Sequence, residues 1–151
     1  MSADTRAIYD LSFESSAPPE RLLAAATDFS KRRPDFWPGI TRRQYRVYSL
    51  GHHTAEVEEG TAPVHHRYRY DWTDDGLVRA TTIDATAVRT GSVWEMRVGP
   101  RPGGGSKVHL HLEVAYKGPV GALVGLAMRL TRGGAYRGSF SKTLAILEAD
   151  A

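Results

Sequence analysis

The chain has 151 residues, 41% apolar and 25% charged, which fits one globular domain with a real core and excludes a disordered chain. It has no cysteine, so disulfides and thiolate chemistry are excluded, and a reducing compartment fits. The net charge is +3, but the arginines are scattered and Lys31-Arg32-Arg33 is a short run, which argues against a nucleic-acid partner.

The opening MSADTRAIYD has no apolar core of signal-peptide length. Residues 110–124 are interrupted by Glu113 and Lys117, and 120–130 is too short to span a bilayer. The expectation is one cytoplasmic domain over residues 1–151 without stable membrane insertion. Residues 7–13 alternate, with Ile8, Asp10 and Ser12 opposing Ala7, Tyr9, Leu11 and Phe13, which predicts a strand with one buried face. Ser15-Ser16-Ala17-Pro18-Pro19-Glu20 has the chemistry of a helix start: serine to cap, proline for the first turn, and a carboxylate to complement the dipole. Leu22, Leu23, Ala26 and Phe29 then fall at helical spacing. Asp28 and Ser30 open a second short helix over 31–33, limited by Pro34 and by Pro38-Gly39, which bracket Phe36 and Trp37.

Three hairpins follow. Residues 44–50 pair with 54–60 across Gly51-His52-His53. Residues 66–72 pair with 77–85 across Asp74-Asp75-Gly76, a strong turn signal. Residues 91–99 pair with 107–117 across a tip rich in glycine and proline. Strands joined by such short turns predict a largely antiparallel sheet.

The terminal segment, 118–148, reads as a long helix with a phase slip. Leu123, Leu126, Ala127 and Leu130 form one stripe, and Tyr136, Phe140, Leu144 and Leu147 form another. The stripes disagree across Gly133-Gly134. Either the helix bends or unwinds there, or its first face continues as Gly134, Gly138, Ser141 and Ala145 in close approach to the sheet. Gly118, Gly121 and Gly125 each weaken the first half by roughly 1 kcal/mol relative to alanine, which marks it as an adjustable wall.

The order strand, two short helices, six strands, long helix resembles the START-like, polyketide cyclase/dehydrase (SRPBCC) superfamily. Ser16-Ala17-Pro18-Pro19-Glu20-Arg21, Thr27-Asp28-Phe29 and Trp37-Pro38-Gly39-Ile40 are similar to its opening. The resemblance covers essentially the whole chain. It implies an α+β helix-grip fold, with a curved antiparallel sheet of about seven strands around a long C-terminal helix, and a ligand tunnel between them. Known members include lipid carriers, hormone receptors, aromatase/cyclases and chaperone activators.

Alternation then assigns faces. Val108, Leu110, Leu112, Val114 and Tyr116 point inward, as do Trp94, Met96 and Val98, and His66, Tyr68, Tyr70 and Trp72. Rings with polar edges suit a pocket for a flat or greasy ligand. The expected ligand-binding set is Trp37, Tyr68, Tyr70, Trp72, Trp94, Met96, Leu110, Leu112, Val114, Leu123, Ala127 and Leu130. The expected partner is a hydrophobic small molecule such as a lipid, isoprenoid or polyketide. Access would involve the second helix, the glycine tip near 103–105 and the start of the terminal helix.

The alternatives are an aromatase/cyclase and a ligand-free interaction module. The resemblance implies that a cyclase holds its poly-β-ketone with a cavity arginine, for which Arg67, Arg69 or Arg79 would serve if the strand register were opposite. His66 is the one inward histidine that could accept a proton. An interaction module would expose an apolar patch near Phe36 and Trp37. His109, His111 and Glu113 form a row on one strand face, but their apolar neighbours turn it to solvent. No metal and no cofactor are expected.

Overall fold

The computed structural model describes residues 6–149. The first strand, β1 (Ala7–Ser15), is followed by helices α1 (Pro19–Ala26) and α2 (Arg33–Phe36) and a 3-10 turn at Arg42–Gln44. The hairpin strands are β2 (Arg46–Leu50), β3 (Thr54–Gly60), β4 (His65–Asp71), β5 (Leu77–Ala85), β6 (Val93–Pro100) and β7 (Ser106–Val114). Helices α3 (Gly118–Leu130) and α4 (Gly134–Ala149) end the chain.

All seven strands form one antiparallel sheet in the order β1-β7-β6-β5-β4-β3-β2. The three expected hairpins and the turns between them supply five consecutive pairings. The sixth joins β1 to β7 from Ala7↔Val114 to Ser15↔Ser106, a long-range pairing that places the chain's first strand beside its last. The α+β helix-grip architecture is therefore present.

One half of the inner face is filled. Leu11, Val57, Val78, Ala80, Met96, Val108 and Leu110 meet Leu22, Ala25 and Ala26 of α1 and Phe140, Leu144 and Leu147 of α4. Burial of each large side chain stabilises by roughly 1.5–3 kcal/mol. Ring contacts between Phe13 and Phe140 (4.8 Å) and between Phe29 and Tyr70 (5.0 Å) tie the layers together.

Three local expectations change. The second helix starts at Arg33 and ends at Phe36, so Pro34 lies in its first turn rather than stopping it; a first-turn amide has no intrahelical partner, and proline loses nothing there. Strand β5 carries an irregularity. Arg67 pairs with Asp84 but Tyr68 pairs with Thr82, so Ile83 is the extra residue of a bulge. That bulge breaks the alternation, which is why the two faces of β5 are not separable from sequence.

The terminal segment is two helices. The Arg132 amide donates to the Arg129 carbonyl (3.3 Å) and the Gly133 amide to the Met128 carbonyl (2.8 Å), a Schellman closure of α3. Arg132 (φ 51°) and Gly133 (φ 82°) both lie in the left-handed region. The segment therefore unwinds at the phase slip. The alternative close-approach face is not used: Gly138, Ser141 and Ala145 are exposed. Among the described residues, no helix is long and apolar enough to cross a membrane.

Candidate ligand cavity

The other half of the inner face is hollow. A cavity of about 280 Å³ lies between α3, the start of α4, the loop after α2 and the sheet, near the lower end of sizes that hold small organic molecules. Its apolar walls come from Trp37 and Ile40, Trp94, Leu112 and Val114, and Val124, Met128 and Phe140. Strand β4 contributes His66, Tyr68 and Tyr70, and α4 contributes Tyr136, Ser139 and Thr143.

Half of the expected ligand-binding residues line this space: Trp37, Tyr68, Tyr70, Trp94, Leu112 and Val114. Trp72, Met96 and Leu110 do not. Met96 and Leu110 are fully buried in the filled half, and the Trp72 ring packs tilted against Phe29, with centroids 5.6 Å apart. Alternation identifies the inner face but not where along the strand the packing stops. Leu123, Ala127 and Leu130 are turned to solvent, with Leu123 69% and Leu130 74% exposed. Helix α3 is apolar nearly all round, so hydrophobic pattern alone does not choose its inner face. Small residues choose it. A Cβ on Gly121 would overlap the Ala87 carbonyl oxygen, and one on Gly125 would lie 2.8 Å from the Tyr116 ring. Only glycine allows this seat, and it turns Val124 and Met128 inward. The tip around 103–105 is no part of the cavity wall; a Cβ on Gly105 would overlap the Ser15 carbonyl.

Two kinds of polar group face the cavity. The first is saturated. Arg33 is buried and donates from Nε to Glu59 Oε2 (2.7 Å), from Nη1 to the Ala26 (3.0 Å) and Asp28 (3.2 Å) carbonyls, and from Nη2 to Tyr70 Oη (3.1 Å) and Glu59 Oε1 (3.5 Å). Tyr70 in turn donates to Glu59. All five guanidinium donors are used. Its carbon lies 4.5 Å from the Phe29 ring centre, a cation–π contact. Burial opposes the Arg33 charge, yet Glu59 and Tyr70 outweigh it and hold the group above its usual pKa. Burial, then the Glu59 charge, push the Tyr70 phenol well up. This triad pins α2 to β3 and β4. Sequence reasoning did not select Arg33 or Glu59. The signal available was the position of Glu59, which continues the alternation of Ala55 and Val57 on the inward face of β3.

The second kind is unsaturated. His66 stacks on Tyr68 with centroids 4.8 Å apart and planes 5° from parallel. Burial drives the His66 pKa down to about 4, so the ring is neutral at pH 7 and offers one donor and one acceptor. Burial, then the Glu59 charge, raise the Tyr68 phenol well above its usual value. Tyr136 Oη accepts from Trp94 Nε1 (2.7 Å), which leaves its own proton to donate.

The arginines that would serve a cyclase only under the opposite strand register stay outside the cavity. Arg67 pairs with Glu56 (2.6 Å) and stacks on Tyr48, Arg69 approaches the same carboxylate (3.9 Å), and Arg79 pairs with Glu95 (2.8 Å), all on the outer face. The row of His109, His111 and Glu113 is also on the outer face, where Asp10 accepts from both histidines (2.9 and 2.7 Å). Phe36 is buried and Trp37 donates from Nε1 to the Ala25 carbonyl (3.2 Å), so these two residues do not form the exposed apolar patch that an interaction module would present.

A family model described as polyketide cyclase / dehydrase and lipid transport matches residues 6–148. The chain belongs to this family. Solved structures agree on the fold. A protein from Thermus thermophilus has a TM-score of 0.75 at 16% identity, covering 96% of this chain and 99% of its own. The Zhui aromatase/cyclase from a Streptomyces species has a TM-score of 0.76 at 10% identity, covering 95% and 94%. A START superfamily protein from Mycobacterium smegmatis has a TM-score of 0.69 at 12% identity, covering 97% of each chain. No curated protein sequence matches this family member.

Proposed function

We propose that the protein binds a hydrophobic small molecule that carries one or two oxygen functions, of lipid, isoprenoid or polyketide type, in the cavity beneath α3. The observation that carries this reading is the unsaturated wall. His66, Tyr68 and the Tyr136 proton face a largely apolar space, while the strongly charged group nearby, Arg33, is fully occupied. Apolar burial would supply affinity and the three polar groups orientation. Transport in the bulk phase or sequestration both follow from such a site.

The test has two parts. Native mass spectrometry of the purified protein should show a co-purifying apolar molecule. After delipidation, a panel of such ligands should raise the Tm, because a ligand at a hundred times its Kd stabilises by about 2.7 kcal/mol. No shift with any panel member, and no bound species, would sink the reading.

A second reading, aromatase/cyclase-type catalysis, rests on His66 alone. A neutral, unpartnered imidazole in an apolar cavity can accept a proton. The reading lacks a free polarising arginine, since Arg67, Arg69 and Arg79 are on the outer face. Turnover of a poly-β-ketone that His66→Gln abolishes, with binding retained, would favour it over binding alone.

A further inference from the structure

The outer face of α3 has no partner among the described residues. Val120, Leu123, Leu126 and Leu130 recur at three- and four-residue spacing and are exposed, opposite the Gly121, Val124 and Met128 face that meets the body. Ile8, 60% exposed on β1, extends this apolar surface across a groove shared with Leu126, Arg129 and Arg132. A soluble domain rarely leaves so many large apolar side chains together in water.

The charge around this face has one sign. Between Glu113 and Glu148 the chain has no acidic residue and five cations: Lys117, Arg129, Arg132, Arg137 and Lys142. Arg137 is engaged with the Ser12 carbonyl and the Phe13 ring. Arg129 and Arg132 flank the leucines and make no ion pair among the described residues. Asp10, the carboxylate lining the groove, is occupied by His109 and His111.

We propose that α3 docks the protein on an anionic membrane surface, with Leu123, Leu126 and Leu130 seated at the headgroup–acyl boundary and Arg129 and Arg132 on lipid phosphates. Charge selects this occupant. A second copy packed on the same face would bring two sets of unpaired cations together, whereas an anionic bilayer neutralises them and takes up the leucines. The helix is long enough for a surface site and too short to span. The proposal is independent of what the cavity holds, though Val124 and Met128 on the reverse of α3 line that cavity.

Co-sedimentation of the full chain with vesicles tests it. Binding is expected to phosphatidylcholine–phosphatidylglycerol vesicles and to be much weaker to phosphatidylcholine alone, and to decline with salt. The double change Leu123→Asp with Leu130→Asp should weaken binding at least about tenfold. Arg129→Gln and Arg132→Gln should each weaken it about fivefold. All four side chains are exposed, so circular dichroism and Tm should match the parent, which separates docking from misfolding. No binding to anionic vesicles, or binding that the aspartates leave unchanged, would overturn the proposal. So would a dimer in sedimentation equilibrium that the aspartates disperse.

Discussion

Helices α3 and α4 come from one continuous apolar segment, yet they hold to the sheet in opposite ways. Helix α4 inserts Phe140, Leu144 and Leu147 into the filled half of the core. Helix α3 buries only Gly121 and Met128 and leaves four large apolar residues exposed. One helix is anchored by side-chain volume. The other is seated by the absence of side chains, with glycines against Ala87 and Tyr116. The difference teaches that hydrophobicity of a segment does not measure its contribution to the core; complementarity with what lies opposite does.

The largest expected effect concerns α2, which is held beside the cavity by charge. Arg33→Met leaves Glu59 buried without its cation and should cost about 3–5 kcal/mol, read by chemical denaturation. Removing both charges together should cost less than Arg33→Met alone. A loss under about 1 kcal/mol for the single change would mean that the triad is hydrated rather than buried.

Leu144→Ala in α4 should cost about 2–5 kcal/mol, whereas Leu123→Ala in α3 should stay within about 0.5 kcal/mol. Equal costs would erase the contrast between the helices. Gly121→Ala must displace α3 from the Ala87 carbonyl and should cost about 1–3 kcal/mol. If it instead stabilised the protein, as a solvent-exposed helical Gly→Ala change would, the glycine seat would be refuted.

A further expected effect is on pH dependence. His66 has a folded pKa near 4 against an ordinary 6.5, so protonation favours the unfolded chain. Stability should be full above pH 6.5 and fall as pH drops toward 4, by at most about 1.4 kcal/mol per pH unit. His111 works in the opposite sense: its hydrogen bonds to Asp10 and Glu113 raise its pKa, so its contribution is present at low pH and fades as pH rises. His66→Gln should flatten the acid-side slope. An unchanged slope would show that the cavity is wet enough to solvate an imidazolium.

Much of the fold was legible in the sequence. Period-two alternation in β1, β4, β6 and β7 gave the correct inward faces, because the pleat leaves only two choices. Turn residues fixed the hairpins. The phase slip at Gly133 located the break between α3 and α4, where the backbone does turn left-handed. The site was half legible. Trp37, Tyr68, Tyr70, Trp94, Leu112 and Val114 follow from the faces. Arg33 and Glu59 do not, because two charged side chains read as surface until their partnership is known. Residues 1–5 and 150–151 lie outside the described structure, so the full 1–151 extent of the domain remains an expectation.

By itself the sequence determined the order of elements, the faces of the regular strands and the place where the terminal helix must break, since each is set by local stereochemistry and periodicity. Only the tertiary structure decided which face of α3 points in, where the sheet's filled half ends and its cavity begins, and that Arg33 belongs to Glu59. Those depend on steric fit and charge pairing between residues far apart in the chain, which no local pattern encodes.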